Sequence, residues 1–414
     1  MRALAMLVSA AMCACSSARP SATAAAELCD LLPLIGKAVP TALASDEAGG
    51  IALAGTSPGP ALRAGYVVLE RPDKPLGGFV LRTSPAGGVS WIRSLGAVRP
   101  LAEAIASDGS VVVVGQAQKQ CFAARLDSRD GREIWTSRLT ADGESACRAV
   151  AVDGRTGEIR AVGEFTGSLG AVRSAGLSDA FMLEISAANG EMRLARTFGG
   201  KGADTASAIA AIGAADVLVA GAFGADVDAS AAEVNFGRGA VPGAGGADGY
   251  LLALSAGGGT RWLSVVGERG DDEVVGVAAH AGAVYAAANA HREQKGAPCG
   301  GEVLVLRKGE WVRVLEEECL SARAAAFDDA GRLWMLEHAG RSLRARAFAP
   351  RDGEPLGSRT WTGERAVVRG AGIARIPGGF AVAAMTDGEA MACGRPVGTT
   401  GEQTAFVVWV RDLG

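Results

Sequence analysis

One pattern of four short apolar runs, parted by Gly and Asp, recurs along this chain, and it limits the fold more than any other feature. The cleanest unit opens with Leu194-Ala195-Arg196-Thr197-Phe198-Gly199-Gly200 and continues through Ala206-Ser207-Ala208-Ile209-Ala210 and Asp216-Val217-Leu218-Val219-Ala220-Gly221. After a loop comes Gly246-Ala247-Asp248-Gly249-Tyr250-Leu251-Leu252-Ala253-Leu254, and Trp262 opens the next unit. Short runs of small or alternating apolar residues between Gly/Asp turns read as strands. Internal repetition at this scale points to a ring or an array of repeated units.

The second run of the unit recurs at Ile51–Gly55, Val111–Gly115, Ile159–Gly163, Val217–Gly221, Val284–Ala287, Leu333–Leu336 and Phe380–Ala383. The third recurs at Phe79, Phe122, Phe181, Tyr250, Val303, Leu343 and Phe406, and the fourth starts at Trp91, Trp135, Leu194, Trp262, Trp311 and Trp361. Seven second and third strands are thus matched by only six fourth strands. Leu31-Leu32-Pro33-Leu34-Ile35-Gly36 precedes the first unit and can supply the missing one. The expected fold is all-β: a seven-bladed β-propeller of four-stranded blades over residues 30–414, closed by an N-terminal strand that removes an open sheet edge. Small apolar strands suit blades packed on both faces, and the outer-strand Trp residues fill space that widens with radius. The stretches 56–77, 223–247 and 386–402 are long loops of the kind that carry function.

Residues 1–14 form an expected leader: Arg2 precedes an apolar run too short to span a bilayer. It ends at Met12-Cys13-Ala14-Cys15, which resembles a bacterial lipobox. The resemblance implies cleavage before Cys15, lipidation of Cys15, a linker over 15–29, and attachment to the membrane through the lipid alone. Ser16 after Cys15 favours the outer membrane of a Gram-negative cell envelope. Of the eight cysteines, Cys13 and Cys15 are then accounted for, and six remain for disulfides in an oxidising compartment. Cys121 and Cys299 each precede a third strand, and Cys147 and Cys319 each precede the next blade's first strand. Cys121–Cys147 and Cys299–Cys319 are therefore expected as equivalent staples between adjacent blades. Cys29–Cys393 follows by elimination.

The segments Phe198-Gly199-Gly200-Lys201-Gly202-Ala203-Asp204 and Gly245-Gly246-Ala247-Asp248-Gly249-Tyr250 resemble the FGG…D and GG-x-D-x-F/Y signatures of bacterial seven-bladed propeller repeats (SBBP-type). Gly176-Leu177-Ser178-Asp179-Ala180-Phe181 and Asn235-Phe236-Gly237 resemble further positions of that family. The match covers 147–275 most clearly, and Thr404-Ala405-Phe406 lacks the family Asp. The resemblance implies a propeller on a secreted or surface protein, with no single activity. A second likeness, Leu126-Asp127 through Gly131 to Trp135, is to quinoprotein-like propellers, which include quinone dehydrogenases and the lipoprotein scaffold of the outer-membrane β-barrel assembly machine.

Catalytic chemistry is sparsely represented. Three histidines and three tyrosines offer little for acid–base work. Gly55-Thr56-Ser57-Pro58-Gly59 spells a nucleophile elbow without the helix that the elbow requires. His280, His291 and His338 share no spacing. Asp271-Asp272-Glu273 and Glu316-Glu317-Glu318 lack the alternating oxygen ligands of a calcium loop, and Asp153-Gly154-Arg155-Thr156-Gly157 reads as a turn. No cysteine pair has zinc-ligand spacing. Arg far outnumbers Lys, a bias expected of a high-GC genome that lowers the weight of any single Arg. A formal charge of −4 without a basic, aromatic-rich stripe disfavours nucleic acid. First-strand centres such as Ala104-Ile105-Ala106, Ala149-Val150-Ala151, Ala208-Ile209-Ala210 and Ala324-Ala325-Ala326 imply an apolar channel. The expectation is a monomeric, non-catalytic scaffold without cofactor or metal, binding a protein or surface polymer through its loop-rich face. The alternative is a propeller enzyme (hydrolase, lyase or quinone-dependent oxidoreductase) with its site at the central channel.

Overall fold

A computed structural model of the chain describes residues 28–212, 216–227, 232–255, 257–267, 270–280, 283–291, 300–307, 310–318, 320–349, 354–363 and 366–411. Cys15, Cys299 and Cys319 lie outside the described residues. Among the described residues every regular element is a strand and none is a helix.

Six four-stranded antiparallel sheets follow one another in chain order. Sheet 1 comprises Val39–Ser45, Ile51–Ser57, Gly77–Thr83 and Val89–Gly96. Sheet 2 comprises Arg99–Ile105, Val111–Ala117, Gln120–Leu126 and Glu133–Leu139. Sheet 3 has Ser145–Val152, Ile159–Phe165, Asp179–Ile185 and Met192–Phe198. Sheet 4 has Ala203–Ile212, Asp216–Ala225, Asp248–Leu254 and Thr260–Val266. Sheet 5 runs through Glu273–His280, Ala283–His291, Gly300–Arg307 and Glu310–Glu318, and sheet 6 through Leu320–Phe327, Leu333–Ala339, Ser342–Phe348 and Pro355–Trp361. A terminal sheet joins Val368–Ile376, Gly379–Thr386 and Thr404–Arg411 to Leu28–Ile35 and to the hairpin Ala61–Ala64/Val67–Glu70. The first strand of each sheet packs beside the first strand of the next, so first strands are innermost. This is a β-propeller arrangement.

Burial explains the composition of the strands. The third strand of sheet 4, Asp248–Leu254, is buried at every position, whereas the outer Pro355–Trp361 is mostly exposed. Between the sheets lie Phe79, Phe181, Tyr250, Phe348 and Phe406, all nearly or fully buried. Each such side chain contributes about 2–3 kcal/mol through the apolar area it removes from water.

The outer-strand Trp residues do more than fill space. Trp91 Nε1 donates to the Ser128 carbonyl at 3.0 Å, and Trp135 Nε1 donates to the Ala187 carbonyl at 3.0 Å. Each ring thereby lies against the tight turn between third and fourth strands of the following sheet. The turn glycine is required there: Gly131 has φ +69°, and a Cβ on it would stand 2.6 Å from Trp91 Cε3.

The long connections between second and third strands contain packed hairpins. Glu233–Asn235 pairs with Ala240–Pro242, and Ala390–Ala392 pairs with Arg395–Val397. Apolar residues hold them down: Phe236 is fully buried against Tyr250 and Phe198, and Val397 and Ala392 join the core between sheet 6 and the terminal sheet. Hairpin Ala61–Ala64/Val67–Glu70 leaves its own sheet and pairs with Leu34 and Ile35.

Candidate functional site

The first strands of successive sheets meet around the central axis. Every first strand carries a β-bulge at the same place, between Pro40/Ala42, Pro100/Ala102, Cys147/Ala149, Ala206/Ala208, Val274/Gly276, Ala322/Ala324 and Gly370/Gly372. A bulge leaves one residue out of the ladder and re-aims it. The residues so freed are Thr41, Leu101, Arg148, Ser207, Val275, Arg323 and Ala371. Opposite four of the bulges stand Gly55, Gly115, Gly163 and Gly221. At Gly115 a Cβ would overlap the Arg99 carbonyl oxygen, so the bulge depends on the missing side chain.

The bulges lie on the face where second strands pass to third strands and where each sheet passes to the next. Charge gathers on the same strand ends. Arg99, Arg148, Arg323 and Arg369 are exposed, although their strands are innermost, so the solvent they meet is that of the channel mouth. The charges occupy the ends of the first strands rather than the Ala-rich centres named from sequence. Arg148 pairs with Glu164 at 2.5 Å, and Ser207 Oγ donates to Glu273 Oε1 at 2.7 Å. Burial pushes the Glu164 carboxyl up despite that pairing, and Arg148 is raised, Glu164 and Glu273 outweighing its own burial.

The ends of second strands clamp the seams. Gln116 Nε2 donates to the Ser145 carbonyl of the next sheet at 3.2 Å. Asn289 bonds Ala322 twice, accepting its N–H at 2.8 Å and donating to its carbonyl at 3.1 Å. His338 holds the equivalent position, its Nε2 accepting the Gly370 N–H at 3.0 Å. An accepting nitrogen must be unprotonated, and burial, with Arg323 and Arg369 nearby, pushes His338 down to about 4.

The remaining sequence-selected residues have structural work. Cys121–Cys147 joins the third strand of sheet 2 to the first strand of sheet 3 with Cα atoms 5.0 Å apart, immediately before the Arg148 bulge. Cys29–Cys393 joins the N-terminal strand to the Ala390–Val397 hairpin with Cα atoms 5.3 Å apart. Ser57 of the apparent nucleophile elbow ends the strand Ile51–Ser57 and is 1% exposed, out of reach of a substrate. Asp153 Oδ1 accepts the Arg155 and Thr156 amides and shapes a turn. Asp271 accepts the Ala247 amide at 2.9 Å, while neighbouring Glu273 turns toward Ser207. Glu316–Glu318 end the fourth strand of sheet 5.

The aspartates of the Gly-Gly…Asp motifs are buried clamps on loop amides. Asp204 accepts Gly200 N–H at 2.6 Å and Gly224 N–H at 2.9 Å, and Asp248 accepts Ala244 N–H at 2.8 Å. Asp179 accepts Ala175 N–H at 3.0 Å and the Ser174 hydroxyl at 3.1 Å. Burial raises all of them; Asp204, with Asp179 close by, is pushed up to about 6. Glu103 is a further buried carboxyl that sequence reading missed. It accepts the Ala54 amide at 3.0 Å across the seam of sheets 1 and 2, and burial holds it well above the ordinary carboxylate range.

No family model matches the chain, and no curated protein does. Among solved structures the chain is similar to that of U3-55K, with a TM-score of 0.51 and 13% identity. The match covers 91% of this chain and 98% of that one. At this identity the likeness concerns the fold, and the fold it supports is a β-propeller.

Proposed function

We propose that the protein is a non-catalytic, lipid-anchored scaffold of the cell envelope, a seven-bladed propeller that binds a protein or surface polymer through the face carrying its hairpins and channel mouth. The terminal sheet is the seventh blade in this reading. Leu28–Ile35 supplies its outer strand by pairing with Thr404–Arg411, from Leu28↔Arg411 to Leu34↔Ala405. Closure in this manner leaves the ring without an open seam, and Cys29–Cys393 fastens it. Attachment through Cys15 would then deliver a rigid ring on a tether of about a dozen residues.

The observation that carries the binding reading is the asymmetry of the two faces. The face of second-to-third-strand connections holds the hairpins Ala61–Glu70, Ser168–Arg173, Glu233–Pro242 and Ala390–Val397, together with the charged strand ends. The opposite face has tight turns such as Asp108–Gly109, with Gly109 at φ +79°. Among the described residues, Asp179, Asp204, Asp248 and Glu103 are committed to backbone amides and Glu164 to Arg148, which supports recognition as the use of the face.

Crosslinking of intact cells, mild-detergent extraction and identification of what co-purifies with the tagged protein tests this. A triple variant Tyr66→Ser, Arg238→Ser, Met391→Ser alters exposed hairpin positions without touching the buried anchors. A stoichiometric partner lost in the variant is expected. Recovery of no partner, with a turnover activity in the pure protein, would overturn the scaffold reading.

A further inference from the structure

Two arginines at the channel mouth hold positive charge that the fold does not use. Arg323 is the bulged residue of Leu320–Phe327, and Arg369 stands beside Gly370 at the start of Val368–Ile376. The two strands are neighbours around the axis. Both guanidiniums are exposed, and among the described residues neither makes a hydrogen bond or an ion pair. Arg148, Arg82 and Arg375 are treated differently: Arg148 has Glu164, Arg82 has Asp46, and Arg375 has Asp329 at 2.6 Å.

The group between them offers no countercharge. His338 spans the seam to the Gly370 amide, and the two guanidiniums favour its neutral form. Among the described residues, carboxylates of the neighbouring strands are engaged elsewhere. Glu337, next in the chain to His338, is fully buried and paired with Arg344 and Arg346. Asp387 accepts the Val367 amide at 2.7 Å. Glu273 is held by Ser207 in the adjoining part of the ring. Two like charges on adjacent strands, both acting on His338, repel each other at a cost to the free protein, and an anion between them removes that cost. Guanidinium suits the role because its planar fork matches carboxylate and phosphate oxygens two at a time.

We infer that the seam between Leu320–Phe327 and Val368–Ile376 at the channel mouth is an oxyanion-binding site. Arg323 and Arg369 are its ligands, and a carboxylate or phosphate group of the scaffold's partner is its occupant. The inference rests on the reading of this face as the binding face, and it adds the chemistry that the partner presents there.

The test uses the full chain in detergent and fluorescein-labelled octaglutamate, followed by anisotropy at low salt. Binding is expected to weaken at least tenfold in R323Q/R369Q and to stay unchanged in R129Q/R132Q, whose arginines lie in a turn of the opposite face. Thermal melts of each variant establish that the ring is intact. Displacement of the peptide by inorganic phosphate identifies a site open to any oxyanion; the absence of displacement identifies a carboxylate site. An R323Q/R369Q protein that binds octaglutamate as the parent does, or a parent that binds neither probe, overturns the inference. Crosslinking separates the two levels. A partner captured equally by parent and R323Q/R369Q overturns the oxyanion site and leaves the scaffold intact. If the parent captures no partner, the scaffold reading fails, and anisotropy still decides the site.

Discussion

Two titratable residues, the buried Asp204 and the half-buried His338, pull the stability of this protein in opposite directions over the same pH range. Asp204 is raised from 3.8 to about 6 in the folded chain. Its contribution is complete below about pH 4 and is lost as pH rises toward 6, because the unfolded chain ionises first; the loss is about 3 kcal/mol. His338 is lowered from 6.5 to about 4, so its neutral form stabilises the fold above pH 6.5 and that contribution is lost as pH falls toward 4. Asp204→Asn should therefore make the protein gain stability with rising pH between 4 and 6.5. His338→Gln, which keeps an acceptor for Gly370, should tilt the profile the other way. Urea midpoints at half-unit pH intervals read both slopes. Identical profiles in parent and variants would show that neither group titrates as its surroundings dictate.

At the scale of the strand, the bulge is the device that turns a repeated sheet into a ring with addressable positions. It depends on close backbone approach, and the glycines opposite it enforce that approach. Gly115→Ala should cost about 2–3 kcal/mol, since the added methyl meets the Arg99 carbonyl and the first strand must move. Gly87→Ala, at φ +84° with open space around it, should cost about 1 kcal/mol. Chemical denaturation of the two variants compares them directly; equal losses would mean that the bulge accommodates a side chain. The Trp-to-turn contacts act at the same scale. Trp91 and Gly131 belong to different sheets, and their pairing is what spaces one sheet from the next.

At the scale of the whole molecule, two disulfides with different spans constrain the chain. Cys29–Cys393 closes 364 residues and Cys121–Cys147 closes 26. Chain entropy assigns about 6 kcal/mol to the first and about 3.5 kcal/mol to the second. The Cys29→Ser/Cys393→Ser protein should accordingly lose more stability in equilibrium unfolding than Cys121→Ser/Cys147→Ser; the reverse order would show that the N-terminal strand holds without its bond. Much of this architecture was legible in the sequence because strand period, Gly/Asp turns and small apolar strands are local properties that each repeat writes out again. The all-β propeller of four-stranded sheets, the burial of Trp91, Trp135 and Trp361 and the pairing Cys121–Cys147 follow from such repetition, whereas Cys29–Cys393 followed by elimination. The packed hairpins did not show themselves, because Phe236 and Val397 sit among polar and Gly-rich neighbours and find their apolar partners in strands of their own and the adjacent sheet. Arg323 and Arg369 were hidden for a related reason: in an Arg-rich chain neither stands out, and 46 residues separate them. Repeated local pattern determined the strands and their order. Which side chains meet at the axis was decided by the bulges and the curvature of the ring, since both arise from packing between sheets that are distant in the chain.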